Sequence, residues 1–238
     1  DISIEDLIKI WRSNGVRRIY VSAWHFYEDY AYEYQRLIEL AHQNAMDVYA
    51  WLELPHVSQK FWNDHPEWRE KTATREDAII GWRRNMALNI RECRSAVRGF
   101  LDSLLTACNW DGINLANLYF ESPAGFSDPA SFTPMNQSLR QTFADLHGYD
   151  PAALFDRASR HFWKKNEKSR DTFLLFREKQ ILDSHEYFLE FFLDLKRKHE
   201  KEWEIMVTTV DDTFGPEITT HIGINNDRLM NLARQLPF

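Results

Sequence analysis

Four carboxylates stand where strands are predicted to end, and they are the residues of this sequence best placed for acid/base chemistry. Glu53 ends one strand pattern, Glu121 a second, and Asp211 and Asp212 a third. Two carboxyl groups in one site can divide the roles of proton donor and base when their surroundings push their pKa values apart. Adjacent acids raise one another's pKa, which suits a general acid, and of the Asp pair we favour Asp211.

Each of these acids also has an ordinary structural explanation. Glu53 could pair with a neighbouring arginine, and Glu121 could anchor a loop by accepting backbone N–H bonds. Adjacent Asp residues are common in turns. Asp111 stands at the entrance of its strand, where we expect it to fix the turn, with Gly112 allowing close packing. The catalytic prediction therefore depends on a fold that gathers the strand ends.

Aromatic, histidine and amide side chains near the same strand ends form a second set of candidates, for ligand binding. A flat aromatic ring suits stacking on a sugar ring, and an amide can hydrogen-bond hydroxyl groups or orient a carboxylate. Core packing explains the aromatic residues about as well, and a single histidine is more often structural. The candidates are Trp24, His25, Trp51, His56, Asn114, Asn117 and Tyr119.

Alternating strand and helix patterns must position these residues, and such alternation is typical of parallel α/β folds. Strand patterns cover residues 16–24, 46–54, 113–120 and 204–210, with a further short strand near 221–224. Helical spacing covers residues 2–13, 32–44, 91–108, 137–146, 151–163, 171–200 and 227–235, and the helix at 171–200 is long enough to be broken. Arg177 falls in that helix, where we expect a surface position.

The period of two predicts which strand residues face the interior of a barrel. In the strand at 46–54, Val48 and Leu52 face the helices, whereas Trp51 and Glu53 face inward. In the strand at 113–120, strict alternation turns Glu121 outward, unless a bulge or the end of the strand reverses it.

These patterns predict an α/β fold of the (β/α)8 TIM-barrel type, as an incomplete barrel with about strands two to six present. A closed barrel has eight strands, which is more than the patterns supply. The chain also begins on a helical pattern. We therefore expect residues 1–238 to form one barrel domain truncated at both ends, whose missing strands come from a longer parent chain.

Composition excludes several other functions. A net charge of −7 disfavours nucleic-acid binding, because phosphate contacts need clustered Lys and Arg. No apolar run is long enough for a membrane span. Cys93 and Cys108 lack metal-ligand spacing, and no metalloprotease, serine-esterase or phosphate-loop motif is present. We predict neither a metal site nor a cofactor.

Two segments carry a resemblance to a known family. Residues 46–68 read MDVYAWLELPHVSQKFWNDHPEW, and residues 89–122 read NIRECRSAVRGFLDSLLTACNWDGINLANLYFES. Their order resembles the bacterial glycosyl-hydrolase-like barrels of the family-ten-like group, and more distantly the hydrolase half of exopolysaccharide deacetylase–hydrolases. The resemblance implies a barrel that acts on a polysaccharide or oligosaccharide with two carboxylates at the strand ends. It also implies a periplasmic or extracellular location.

One departure from the family pattern leaves the function open. Related glycosidases place a carboxylate within or just after the fourth strand, where this chain has Asn114, Ala116 and Asn117. The first hypothesis is a glycoside hydrolase with Glu121 and Asp211 as the carboxylate pair and Glu53 in reserve. The alternatives are a non-catalytic carbohydrate-binding barrel, or an interaction domain of a larger exopolysaccharide-processing protein.

Overall fold

The computed structural model describes residues 2–23, 32–213 and 215–236. Its strands are β1 (Arg18–Ser22), β2 (Asp47–Glu53), β3 (Ile79–Ile80), β4 (Arg83–Arg84), β5 (Gly112–Ala116) and β6 (Glu204–Val207). Four of them form one parallel sheet in the order β1-β2-β5-β6, and β3 pairs with β4 in a short antiparallel hairpin. The prediction of an incomplete barrel of the TIM type is confirmed, since parallel neighbours in chain order are joined by helical connections.

Helices surround this sheet and connect its strands. They are α1 (Ile4–Ser13), α2 (Tyr34–Gln43), α3 (Gln59–Asp64), α4 (Arg91–Ala107), α5 (Gln137–His147), α6 (Glu167–Lys198), α7 (Pro216–Ile222) and α8 (Asn226–Gln235). Single 3₁₀ turns occur at Pro66–Trp68, Gly125–Ser127 and Pro151–Leu154. No helix in the described part of the chain is both long enough and apolar enough to span a membrane.

The strands alternate as the sequence predicts. Val48, Ala50, Leu52, Ile113 and Leu115 are fully buried on the face that the helices cover. The register places Trp51 beside Ser22 and Asn114, and places Glu53 beside Ala116, on the opposite face. This inner face carries the residues that converge at the barrel mouth, by which we mean the end of the sheet where the parallel strands terminate.

Contacts at the opposite end of the sheet explain how the strands are aligned. The Asp111 carboxylate accepts a hydrogen bond from the Val48 backbone N–H at 2.6 Å and contacts His42 Nε2 at 2.8 Å. A side chain at Gly112 would collide with the Glu204 carbonyl oxygen and the Tyr49 ring. Asp111 therefore fixes the turn into β5, and Gly112 allows close packing there, as the sequence predicts.

A second cluster of buried aromatic rings forms outside the sheet, between α5, α6 and the loop that follows β5. Its members include Phe126, Phe132, Phe143, Phe173 and Phe176. The prediction of a surface position for Arg177 is wrong. Its side chain is fully buried, donates hydrogen bonds to the Thr133 carbonyl and the Ser122 hydroxyl, and lies on the Phe120 and Phe132 rings. Burial lowers the pKa of Arg177 to about 9.

Two element predictions also need correction, and a third was left open. The helix predicted at 151–163 is a single 3₁₀ turn, because Asp156 and Ser159 accept backbone N–H bonds two residues ahead and so form turns instead. The strand predicted near 221–224 is the end of α7 followed by Gly223 in the left-handed conformation. Short apolar runs do not distinguish strand from helix. The long helix α6 is continuous over Glu167–Lys198.

Candidate functional site at the barrel mouth

Glu53 is the carboxylate that the sheet itself presents at the mouth. It is the last residue of β2, it is half-buried, and it accepts hydrogen bonds from the Trp51 indole N–H at 3.1 Å and the Asn117 amide at 3.2 Å. Trp51 lies two residues earlier on the same face of the strand, so the period of two places its indole beside the carboxylate. The sequence prediction that both side chains face inward agrees with these contacts.

Asn117 connects Glu53 to the neighbouring elements. It follows β5 with a φ of 55°, a left-handed conformation that Asn adopts more readily than most residues. Its amide donates to Glu53, and its backbone carbonyl accepts a hydrogen bond from Arg83 Nη2 at 3.2 Å. The Asn117 side chain thus orients the Glu53 carboxylate.

Glu121 is mostly buried and forms an ion pair with Arg83. Arg83, in β4, donates to its carboxylate, and the two side chains are only 7% and 12% exposed. The guanidinium also lies over the Tyr119 ring, 5.2 Å from its centre. Burial raises the pKa of Glu121, and the Arg83 charge opposes that rise. Burial also raises the pKa of the Tyr119 hydroxyl.

The β3–β4 hairpin that supplies Arg83 also brings the Trp82 ring against His56, which follows β2. His56 is buried, its Nδ1 accepts the Arg84 backbone N–H at 2.8 Å, and its ring meets Trp82 edge to face at 4.8 Å. Trp82 is 56% exposed. Sequence reasoning missed both Trp82 and Arg83, because the hairpin lies in a stretch with no periodic pattern; Gly81 between its short strands is the only local signal.

Asn114 is engaged within the sheet. Its amide donates to the Thr208 hydroxyl at 2.9 Å, and that hydroxyl lies 3.0 Å from the Asn114 carbonyl oxygen. The side chain is almost fully buried. These two contacts link β5 to the segment that follows β6 and occupy both ends of the amide.

The two aspartates after β6 bond to other residues than the two glutamates of the mouth do. Asp211 is exposed and accepts bonds from the Thr213 backbone N–H at 2.9 Å and hydroxyl at 2.6 Å, which lower its pKa. Asp212 accepts a hydrogen bond from the Asn226 amide at 3.1 Å. Within residues 2–23, 32–213 and 215–236, no hydrogen bond or ion pair joins either aspartate to Glu53 or Glu121. Trp24 and His25 lie outside the described residues.

This arrangement provides a half-buried carboxylate, Glu53, with two N–H donors bonded to it, and a second carboxylate, Glu121, that is paired with Arg83. Exposed aromatic surface lies close by on the hairpin, at Trp82. Such a combination can hydrogen-bond hydroxyl groups and stack on a flat apolar ring face. Among the described residues, no group of three or more His, Cys, Asp or Glu side chains could hold a metal ion.

Comparison with solved structures agrees with the fold. The chain is similar to the glycoside hydrolase domain of PgaB (BpsB) from Bordetella bronchiseptica, with a TM-score of 0.61 and 12% identity over 93% of this chain and 64% of that one. It is also similar to two β-galactosidases. The one from the Antarctic haloarchaeon Halorubrum lacusprofundi has a TM-score of 0.61 and 14% identity, over 95% of this chain and 36% of that one. The one from the psychrophilic Marinomonas ef1 has a TM-score of 0.56 and 13% identity, over 85% and 34%.

No known family profile matches the sequence, and no curated protein sequence matches it. The chain spans only about a third of the two β-galactosidases and under two thirds of the PgaB domain. At these identities the similarity concerns the fold alone. The chain therefore has the fold of glycoside-hydrolase barrels, as its resemblance to that group implies.

Proposed function

We propose that this chain binds a carbohydrate chain at the barrel mouth, with Glu53 as the polar centre of the site and Trp82 as a stacking surface. The observation that carries the proposal is the half-buried Glu53 carboxylate, held by the Trp51 and Asn117 N–H groups, together with the exposed Trp82 ring, which contacts His56 three residues after Glu53 in the chain. Acceptors held in fixed positions favour hydroxyl-rich ligands. The glycoside-hydrolase fold gives independent support.

Binding is tested by screening the protein on a glycan array and titrating the best oligosaccharide by calorimetry. We expect Glu53→Gln and Trp82→Ala each to weaken binding by about tenfold or more, as central contacts of an interface do. The matched control is Glu39→Gln, on the exposed side of α2, which we expect to bind like the parent. Unchanged affinity in both mouth variants would rule out this site.

Glycoside hydrolysis is a second candidate, and it has its own supporting observation. Burial raises the pKa of Glu121, as a general acid requires, while Asn117 is bonded to both Glu53 and the arginine that pairs with Glu121. In this mechanism Glu121 donates a proton to the leaving oxygen and Glu53 acts as nucleophile or base. Against it stands the buried Arg83–Glu121 pair, because a carboxylate held as an ion gives up no proton.

Release of reducing ends from the oligosaccharide that binds distinguishes the two candidates. Hydrolysis predicts that Glu121→Gln and Glu53→Gln abolish turnover, with Glu121→Gln leaving affinity nearly unchanged. Asp211→Asn tests the other acid considered as the partner of Glu121. Binding without turnover in the parent protein supports the non-catalytic barrel.

A further inference from the structure

A small cavity lies beside the barrel mouth, between α6 and the segments that follow β2 and β5. It encloses about 30 Å³ that a water molecule could occupy. Most of its wall is apolar, including Met86, Leu88 and Leu118. Tyr119, Glu121 and two partly exposed residues of α6, Gln180 and Ser184, also line it.

Asn85 is the unusual group in this wall. Its side chain is 1% exposed, and neither the amide nitrogen nor the amide oxygen has a hydrogen-bond partner. The backbone holds it in place, because its N–H donates to the Ala78 carbonyl at 3.1 Å and its carbonyl accepts the Glu70 N–H at 2.9 Å. Buried amides in native proteins are nearly always paired, so both atoms of this one call for an occupant.

The two acids in the wall are already engaged. Glu70 accepts the backbone N–H groups of Lys71, Met135 and Asn136 and also the Asn136 side-chain amide. Glu121 is paired with Arg83. An anion would be repelled by these acids, and a cation could not accept a hydrogen bond from the Asn85 nitrogen. The occupant must therefore be neutral and must present a donor beside an acceptor.

We propose that the Asn85 cavity is a binding site for a small carboxamide group, whose C=O accepts from Asn85 Nδ2 while its N–H donates to Asn85 Oδ1. Two parallel bonds of this kind satisfy both atoms of the Asn85 amide. The small space favours a group of only a few non-hydrogen atoms. This inference does not depend on carbohydrate binding at the mouth.

Acetamide is the probe, and saturation-transfer NMR with the whole chain is the measurement. We expect millimolar binding that weakens at least tenfold in Asn85→Leu, and weaker binding of N,N-dimethylacetamide, which lacks the N–H donor. The control Asn63→Leu changes an exposed amide far from the cavity and should bind acetamide like the parent. Because Asn85→Leu could disturb folding, Ser184→Trp provides a second test, which places a large ring at a lining position of the cavity and leaves Asn85 intact.

Equal binding of acetamide by the parent, Asn85→Leu and Ser184→Trp would overturn the proposal. So would a cavity that holds only water, recognised by slowly exchanging water contacts to the Asn85 amide protons and no acetamide signal. Loss of acetamide binding in both variants, with oligosaccharide affinity at the mouth unchanged, would support it.

Discussion

The two faces of the parallel sheet differ in how completely they are covered. The face toward the helices is apolar and dry, with Val48, Ala50 and Leu52 fully buried. The inner face carries polar and aromatic side chains, and Tyr20 on it is 42% exposed although it contacts the Tyr49 and Trp51 rings. The helix-covered face therefore contributes most of the buried apolar core, whereas the inner face is only partly covered, as the proposed carbohydrate site requires.

The mouth also contains a buried ion pair, Arg83–Glu121. We expect Arg83→Met to lower the free energy of unfolding by about 3–5 kcal/mol, because it leaves a buried carboxylate without its partner. Chemical denaturation measures this. Burial raises the pKa of Glu121 in the folded state, so protonation of Glu121 favours folding below about pH 4.5. The loss of unfolding free energy caused by Arg83→Met should therefore be smaller in acid. Equal losses at neutral and acid pH would show that Arg83 acts through packing.

Removing a large side chain from each face of the sheet tests directly whether the two faces differ in coverage. Leu52→Ala should cost about 2–5 kcal/mol of unfolding free energy, because it opens a cavity in a closed core. Tyr20→Ala, on the inner face, removes a larger side chain but should cost well under that value, since much of the ring already contacts water. Similar losses in the two variants would mean that the inner face is as tightly covered as the outer one.

A buried histidine on α6 makes the helix-covered side sensitive to pH. His185 is fully buried, its Nδ1 lies 2.9 Å from the Ile181 carbonyl, and burial lowers its pKa from 6.5 to about 4. Its neutral form stabilises the fold above pH 6.5, and roughly 3 kcal/mol should be lost as the pH falls toward 4. His185→Met should remove this dependence, whereas exposed His147→Gln should keep it. An unchanged profile in His185→Met would assign the pH dependence to other groups.

The smallest effect is expected at Asp211. Its carboxylate is exposed and bonds only within its own turn, to Thr213. Asp211→Asn keeps an oxygen acceptor for that turn, so we expect the unfolding midpoint and the oligosaccharide affinity to match the parent. A large loss of binding or of hydrolysis in this variant would place Asp211 in the site and restore the Glu121–Asp211 pair of the sequence hypothesis.

Local sequence patterns were enough to predict the strands of the parallel sheet, their alternation and the end of the sheet at which the candidate residues lie. These predictions rest on local periodicity. The predicted inward orientation of Glu53 and Trp51 agrees with the structure, as does the predicted role of Asp111 and Gly112 in the turn before β5. It failed where competing side-chain bonds form turns, as at 151–163, and where an apolar run is short, as at 221–224.

Only the tertiary structure decided which side chains meet. Arg83 and Glu121 are 38 residues apart in the chain, and Asn117 reaches back 64 residues to Glu53. No local pattern encodes such pairings, because they depend on how the hairpin after β2 folds over the end of β5. The buried position of Arg177 and the unpaired amide of Asn85 have the same origin. Their surroundings are built from segments distant in sequence, so burial and charge pairing exist only once the chain is folded.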